Sequence, residues 1–208
     1  MSDFEENKRV IKKRTLAPGI VVYSDVLENY KEIIAEIEDG VSKRLELWGP
    51  ALSVIDGVTV EDKNFRDTDS MYIEYQDHIV ETSMHEYYQF KAKLSNTFLL
   101  GFKDLESDYK AEHNISTDWH DFYGILKYGP GQKVSEHIDD NKKNHRRVSI
   151  VYYLNDDFSG GEVVFPRFDI TYKPVANELL VFPSTYTYNH LVVPVIEGTR
   201  YSVVSWLR

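Results

Sequence analysis

The spacing of apolar positions changes character along this chain. In "DVLENYKEIIAEIEDG" (Asp25–Gly40), Val26, Leu27, Tyr30, Ile33, Ile34 and Ile37 recur at helical intervals. Asp25 with Glu28 offers a cap and Gly40 a stop, so the pattern predicts a helix over 25–40, preceded by a strand in "GIVVYSD" (Gly19–Asp25). A longer helix is predicted over "SMHEYYQFKAKLSNTFLLGFKDLES". There Ser83 and Glu86 make a capping box, and Tyr87, Phe90, Leu94, Phe98, Phe102 and Leu105 form one stripe. Between the helices, residues 41–80 show no period, only turn signals at Gly49-Pro50 and Asp56-Gly57. From Phe122 onward short β-type runs take over: "FYGILKY", "VSIVYYL", "GEVVF", "ELLVF", "HLVVPV" and "RYSVVSW". Gly, Pro, Asn and Asp separate them, as in a sandwich or barrel. The predicted class is α+β, mainly β, in one domain over 1–208. Residues 1–120 give helical support and loops, with a charged, loose start, and residues 121–208 give the β core.

Composition narrows the function classes. The 208 residues are 42 % hydrophobic, enough for a sizeable core, and carry a formal net charge of −10. A nucleic acid is an unlikely partner for a chain without a basic face. Two local basic runs, Lys8–Arg14 and Lys142–Arg147, are expected as a solvated tail and a solvated loop. With no cysteine, disulfides, thiolate metal sites and cysteine nucleophiles are excluded. No secretory pattern and no membrane-length apolar run is visible, so a cytoplasmic location without membrane attachment is expected. Oligomeric state leaves no trace in the sequence.

The candidate chemistry lies in "GQKVSEHIDDNKKNHRRVSIVYYLN". If this stretch is extended, His137 and Asp139, two apart, project to the same face. Alone the pair is weak. Seven histidines and 34 acidic residues in 208 positions produce about one such pair by chance. His190 supplies a third donor at the opening of another predicted strand. Two histidines and one carboxylate fit a non-haem Fe(II) oxygenase centre, and equally a Zn²⁺ site with an open position. Arg200, on the next predicted strand, favours the oxygenase, because a permanently charged guanidinium beside the cavity suits a bidentate carboxylate contact.

Several motifs in order then resemble one family. "YGPGQKVSEHID", "RRVSIVYYLN", "GGEVVFP", and "LLVFPS" followed by His190, Gly198, Arg200 and Trp206 are similar to the 2-oxoglutarate- and Fe(II)-dependent dioxygenases, in particular the prolyl 4-hydroxylase type. The resemblance covers Tyr128–Trp206. It implies a double-stranded β-helix (jelly-roll) with N-terminal supporting helices. It implies Fe(II) held by His137, Asp139 and His190, and 2-oxoglutarate bound by Arg200, Tyr153 and Tyr128. It implies Trp206 in the pocket, O₂ as co-reactant, and ascorbate as an activator. The implied reaction is hydroxylation of an unactivated C–H bond, foremost of a prolyl residue in a peptide or protein, with 2-oxoglutarate converted to succinate and CO₂. The alternatives are a related oxygenase acting on another side chain, a free amino acid or a nucleobase, and a non-catalytic jelly-roll metal-binding module. Two positions depart from the pattern: Val134, where many relatives have an aromatic, and Asn177, where many have Gly. The segment Trp48–Ser70 is read as a substrate-covering loop, with Trp48 and Arg66 as its candidate contacts.

Overall fold

A computed structural model of the protein describes residues 10–42, 48–55, 58–73, 85–117, 119–141 and 145–208. The chain opens with β1 (Lys12–Ala17), β2 (Ile20–Ser24) and α1 (Tyr30–Ser42). Five short strands follow: β3 (Gly49–Pro50), β4 (Ser53–Ile55), β5 (Val58–Val60), β6 (Arg66–Asp67) and β7 (Asp69–Ile73). After α2 (His85–Glu112) come β8 (Tyr123–Tyr128), β9 (Lys133–His137), β10 (Val148–Tyr153), β11 (Ser159–Gly160), β12 (Val163–Phe165) and β13 (Ile170–Tyr172). The chain ends with β14 (Leu179–Pro183), β15 (His190–Val192), β16 (Val195–Glu197) and β17 (Arg200–Leu207).

The strands build a double-stranded β-helix. Its major sheet has eight strands in the order β1-β2-β14-β10-β17-β8-β7-β3, and its minor sheet has five, β13-β12-β15-β9-β6. Every strand pairing among the described residues is antiparallel, as in β10 with β17, where Tyr153 faces Ser202 and Val148 faces Leu207. Central strands of the major sheet are buried on both faces. On β14, Leu179 and Val181 enter the core shared with the helices, while Leu180 and Phe182 enter the space between the sheets. Such strands read as unbroken apolar runs rather than as alternation, which is why "ELLVF" and "VSIVYYL" stand out in the sequence. The helices cover the outer face. Ile33 and Ile37 of α1 and Leu94, Phe98, Phe102, Leu105 and Tyr109 of α2 share one apolar cluster with that sheet. Gly101 lets α2 approach closely, since a Cβ there would stand 2.1 Å from a Leu27 methyl.

Several predicted boundaries move. Residues 12–17, most of them in the run expected as a solvated tail, form an edge strand paired with β2, while residues 1–9 lie outside the described residues. The described part of the first basic run is accordingly ion-paired: Lys13 meets Asp108 at 2.5 Å and Glu112 at 2.6 Å, and Arg14 meets Glu178. Residues 49–73, expected to be irregular, contribute five short strands. The Asp56-Gly57 turn, Ser83 of the capping box, and the side chains of Glu86 and Tyr87 lie outside the described residues. Helix α1 starts at Tyr30, not after Asp25, and Gly40 lies inside it. Asp25 takes a left-handed backbone (φ 57°), unlike an N-cap.

Asn177 explains the late start of α1. Its side-chain Oδ1 accepts from Leu27 N at 2.8 Å and its Nδ2 donates to Leu27 O at 3.0 Å, while Val26 N donates to Asn177 O at 3.3 Å. These contacts hold Val26 and Leu27 extended against the barrel. Tyr152 Oη also donates to Asn177 Oδ1, at 2.8 Å. Asn177 itself sits at φ 65°, a conformation glycine adopts freely and asparagine tolerates. The departure from the family's glycine thus keeps the turn and adds a clip. Asn177→Ala is expected to lose roughly 3 kcal/mol of stability, from buried hydrogen bonds plus a strained φ. Asn177→Gly should lose less, because the φ is then free. Urea unfolding of both variants checks the order.

Candidate metal centre and cosubstrate cavity

Three side chains converge at one end of the space between the sheets. Donor atoms of His137, Asp139 and His190 all lie within 4.8 Å of one another, and it is the sole such cluster among the described residues. His137 ends β9 and His190 opens β15, and the two face each other directly in the antiparallel pairing of the minor sheet. The extended geometry expected for His137-x-Asp139 holds only as far as His137. Asp139 sits in a bend beyond the strand, held by Asp140 N donating to Ser184 O at 3.0 Å. The bend exposes Ile138 and turns the Asp139 carboxylate inward, 3.4 Å from His137 Nε2 and 3.9 Å from His190 Nε2.

The surroundings fix each donor. His137 Nδ1 is 2.9 Å from Ser135 O and His190 Nδ1 is 3.1 Å from Tyr188 O. A carbonyl only accepts, so each Nδ1 carries the proton and each Nε2 lone pair faces the cluster. Ser149 Oγ donates to Asp139 Oδ2 at 2.6 Å and is itself 2.7 Å from Ser184 Oγ. Burial works against the Asp139 charge. The His137 contact, the positive field of both histidines and the Ser149 hydroxyl outweigh it and hold the carboxyl well below its ordinary value of 3.8. Burial and repulsion from His137 push His190 down to about 4. Above that pH the cluster therefore offers an ionised carboxylate and a neutral His190 imidazole, the forms that bind a divalent metal.

The His190 shift has a sign that can be read in unfolding. An unfolded histidine titrates near 6.5, so on acidification the unfolded state takes the proton first. The contribution of this group is complete above about pH 6.5 and is lost as pH falls toward 4. Metal-free protein should thus lose stability between these values, and His190→Asn should flatten that part of the profile in urea titrations at stepped pH.

At the other end of the same cavity stands Arg200. It is 1 % exposed, and its guanidinium lies 4.6 Å from the Tyr128 ring centre and 5.2 Å from that of Tyr153. One nitrogen donates to Ser202 Oγ at 3.2 Å. No carboxylate pairs with it among the described residues, and both Arg200 Nε and Tyr153 Oη are buried without a hydrogen-bond partner. Burial raises the Tyr153 phenol above its ordinary value, so it stays protonated and able to donate. Gly161 makes room for the guanidinium stem: its φ is +68°, and a Cβ would stand 3.0 Å from Arg200 Cδ. Arg200, on the next predicted strand along the chain, is not on a spatial neighbour of the His190 strand. β17 belongs to the opposite sheet, so Arg200 reaches the cavity from across the barrel.

The remaining candidates divide. Trp206 lines the cavity, with the Arg146 guanidinium 3.4 Å from its ring centre. Arg66, on β6, lines it too. Trp48 is not brought to the cavity. It packs against the helix-side core with Lys127 over its ring at 5.6 Å. Val134 is buried in the cavity wall. The sequence reading passed over Ser149 and Ser184, which steady Asp139, and Phe65, whose ring meets His137 edge-on at 5.9 Å. It also placed Arg146 in a solvated loop, whereas its side chain is 13 % exposed and is 3.4 Å from Asp121.

Comparison with known proteins bears on this arrangement. Residues 123–208 match the model of the 2OG-Fe(II) oxygenase superfamily. That match contains all three clustered donors and Arg200. A PKHD-type hydroxylase of Maricaulis maris is 31 % identical over 90 residues, 40 % of each chain. The chain spans less than half the length of the curated relatives it matches. Among solved structures, a Pseudomonas putida prolyl-4-hydroxylase superposes with a TM-score of 0.65 at 21 % identity, covering 91 % of this chain and 92 % of that one. A Trichoplax adhaerens prolyl hydroxylase, solved with a hypoxia inducible factor oxygen degradation domain peptide fragment, gives 0.68 at 17 % identity, covering 91 % and 83 %. These likenesses show a common fold over nearly the whole chain, including the helical support outside residues 123–208. No described helix is long and apolar enough to cross a membrane.

Proposed function

We propose that this chain is an Fe(II)- and 2-oxoglutarate-dependent dioxygenase that hydroxylates an unactivated C–H bond, foremost of a prolyl residue in a peptide or protein. The observation that carries the reading is the buried Arg200, left without a carboxylate in the cavity that holds the His137–Asp139–His190 cluster. A desolvated guanidinium without a counter-charge is costly, so the cavity is built to receive an anion. A dicarboxylate whose other end reaches a metal meets both requirements.

The residues fit these groups. Two Nε2 atoms and one carboxylate would hold Fe(II) and leave positions free for other ligands. Arg200 Nε and Tyr153 Oη, both buried without a hydrogen-bond partner among the described residues, would donate to the far carboxylate of 2-oxoglutarate. Bound together, iron, 2-oxoglutarate and O₂ supply the oxidising power that hydroxylates the substrate and releases succinate and CO₂. The protein's part is to orient and to exclude water. Ser149 fixes the Asp139 carboxylate, and the Ser135 and Tyr188 carbonyls fix the imidazoles. The apolar walls of Leu126, Val134, Val163, Phe182 and Val192 keep the cavity dry.

The peptide reading draws support from the hydroxylases named above and from the cleft in front of the cavity. That cleft is about 510 Å³, with Phe65, Tyr72, Phe122 and Trp206 among its lining residues. It has the size and aromatic character of a site for an organic ligand. Incubation of the protein with Fe(II), 2-oxoglutarate and proline-containing peptides tests the reading. The expected result is succinate formation above the slow uncoupled rate, with one oxygen atom added at proline. Stimulation by free amino acids or nucleobases but not by peptides would move the activity to another substrate. Absence of succinate under every condition would overturn the oxygenase assignment.

A further inference from the structure

Four residues line both the inner cavity and the outer cleft: His137, Asp139, Trp206 and Arg66. The junction between the two spaces is where a substrate carbon must meet the metal. His137 and Asp139 belong to the donor cluster, and the Trp206 ring is covered by the Arg146 guanidinium. Arg66 is the member whose chemistry is unused. It lies on β6, the edge of the minor sheet, where it pairs with Val134 of β9. Its Nε is buried without a hydrogen-bond partner, and no carboxylate among the described residues lies at ion-pair distance from it. The neighbouring Asp67 is turned away, accepting from Gln132 Nε2 at 3.4 Å.

Among the described residues, the charged side chains lining the cleft are Arg66, Arg146 and Asp139. Asp139 is committed to the two histidines. Arg146 lies over Trp206, and its Asp121 partner is shared with Arg208 at 2.6 Å. The protein as a whole carries −10, so the two guanidinium groups, with no acid beyond Asp139 among the described lining residues, run against the net charge of the chain. A positive cleft on an acidic protein draws anions toward that place.

We propose that Arg66 binds a carboxylate of the substrate beside the carbon that reacts, so that the substrate is anionic at that point rather than neutral. The proposal deepens the oxygenase reading and rests on it for what happens after binding. The carboxylate is supplied either by an Asp or Glu side chain next to the target residue or by the α-carboxylate of a chain end or a free amino acid. Both present the same planar acceptor to the guanidinium fork.

Binding, read apart from turnover, tests it. Fluorescence anisotropy of the full chain, loaded with Zn(II) and 2-oxoglutarate, is measured with labelled proline peptides carrying Glu on either side of proline. Matched Gln peptides, C-terminal acids and amides, and free proline against its amide as competitors complete the set. The acidic members should bind about ten- to one-hundred-fold more tightly than their neutral isosteres. Arg66→Gln should bring the two to parity while leaving 2-oxoglutarate affinity unchanged, and Arg66→Lys should keep part of the preference. A preference confined to Glu peptides assigns the side chain, and one confined to free α-carboxylates assigns a chain end; both support the role of Arg66. Equal binding of acidic and neutral members by the unmodified protein, or a preference that survives Arg66→Gln, overturns it. Charge-dependent binding without hydroxylation at proline would refute the prolyl assignment and leave the carboxylate site standing.

Discussion

Replacing Asp139 with alanine is expected to release the metal and stop turnover while the protein still folds. Asp139 is the one anionic donor in the cluster, and its charge is maintained against burial by the histidines and Ser149. Removing a group that merely steadies a metal ligand costs about 10- to 100-fold in affinity. Removing the anionic ligand itself should cost more, and the remaining neutral imidazoles would hold a divalent ion only weakly. The fold should survive because Ser149 and Ser184 are already 2.7 Å apart and can satisfy one another once the carboxylate is gone. Asp139→Asn separates charge from shape: it keeps an oxygen for Ser149 but removes the negative charge. Titration with Fe(II) or Mn(II), with circular dichroism as the folding check, reads the outcome. A folded Asp139→Ala protein that binds metal as tightly as the unmodified one would remove Asp139 from the centre.

Arg200→Met is expected to separate cosubstrate binding from stability. Loss of one partner of a buried, hydrogen-bonded charge pair costs roughly 2–5 kcal/mol, so 2-oxoglutarate affinity should fall by about 30-fold to several thousand-fold. Metal affinity should change little, because Arg200 touches none of the three donors. The stability of the ligand-free protein should move the other way or not at all. In that state Arg200 is a desolvated charge whose direct bond is to a serine hydroxyl, and exchanging a buried charge for an apolar chain of similar volume is often neutral or stabilising. A structural arginine would behave oppositely, with stability falling and affinity unmoved. Calorimetric titration with 2-oxoglutarate and thermal melts of ligand-free protein together decide. Unchanged cosubstrate affinity would reopen a Zn-dependent hydrolytic reading of the same donors.

What the sequence revealed of this fold follows from burial. Strands enclosed on both faces, such as β10 and β14, are near-continuous apolar runs and were legible at once. Edge strands were not. β1 presents Lys12, Lys13 and Arg14 to solvent, as an edge strand does to discourage further pairing, and its composition imitates a tail. β3 and β6 have two residues each, too few to show any period. The start of α1 was misplaced because its determinant, Asn177, lies far along the chain, and no local cap pattern records a tertiary clip. At the site, residue types marked out His137, Asp139, His190 and Arg200. The ways they converge were hidden: a bend rather than a strand for Asp139, and the opposite sheet for Arg200. Arg66 was marked as a loop contact, but its position at the junction depends on a two-residue pairing with β9 that no periodicity announces. Trp48 came from the same segment, and there a large apolar ring found the core instead.

Strand β17 carries Arg200, Ser202, Val204 and Trp206 toward the cavity and Tyr201, Val203 and Leu207 toward the helices. It is hydrogen-bonded on both sides, to β10 and to β8. The proposed cosubstrate anchor and the rim of the cleft are therefore marks on one rigid ruler. Inserting a single residue between them would turn Arg200 into the apolar helix core and Tyr201 into the cavity. Inserting two would restore the phase and lengthen the cavity by about 7 Å. The depth of this site is quantised. Chains descended from it could adopt longer or shorter cosubstrates only by jumps of a residue pair, whereas the loops at its mouth are free to vary by single residues.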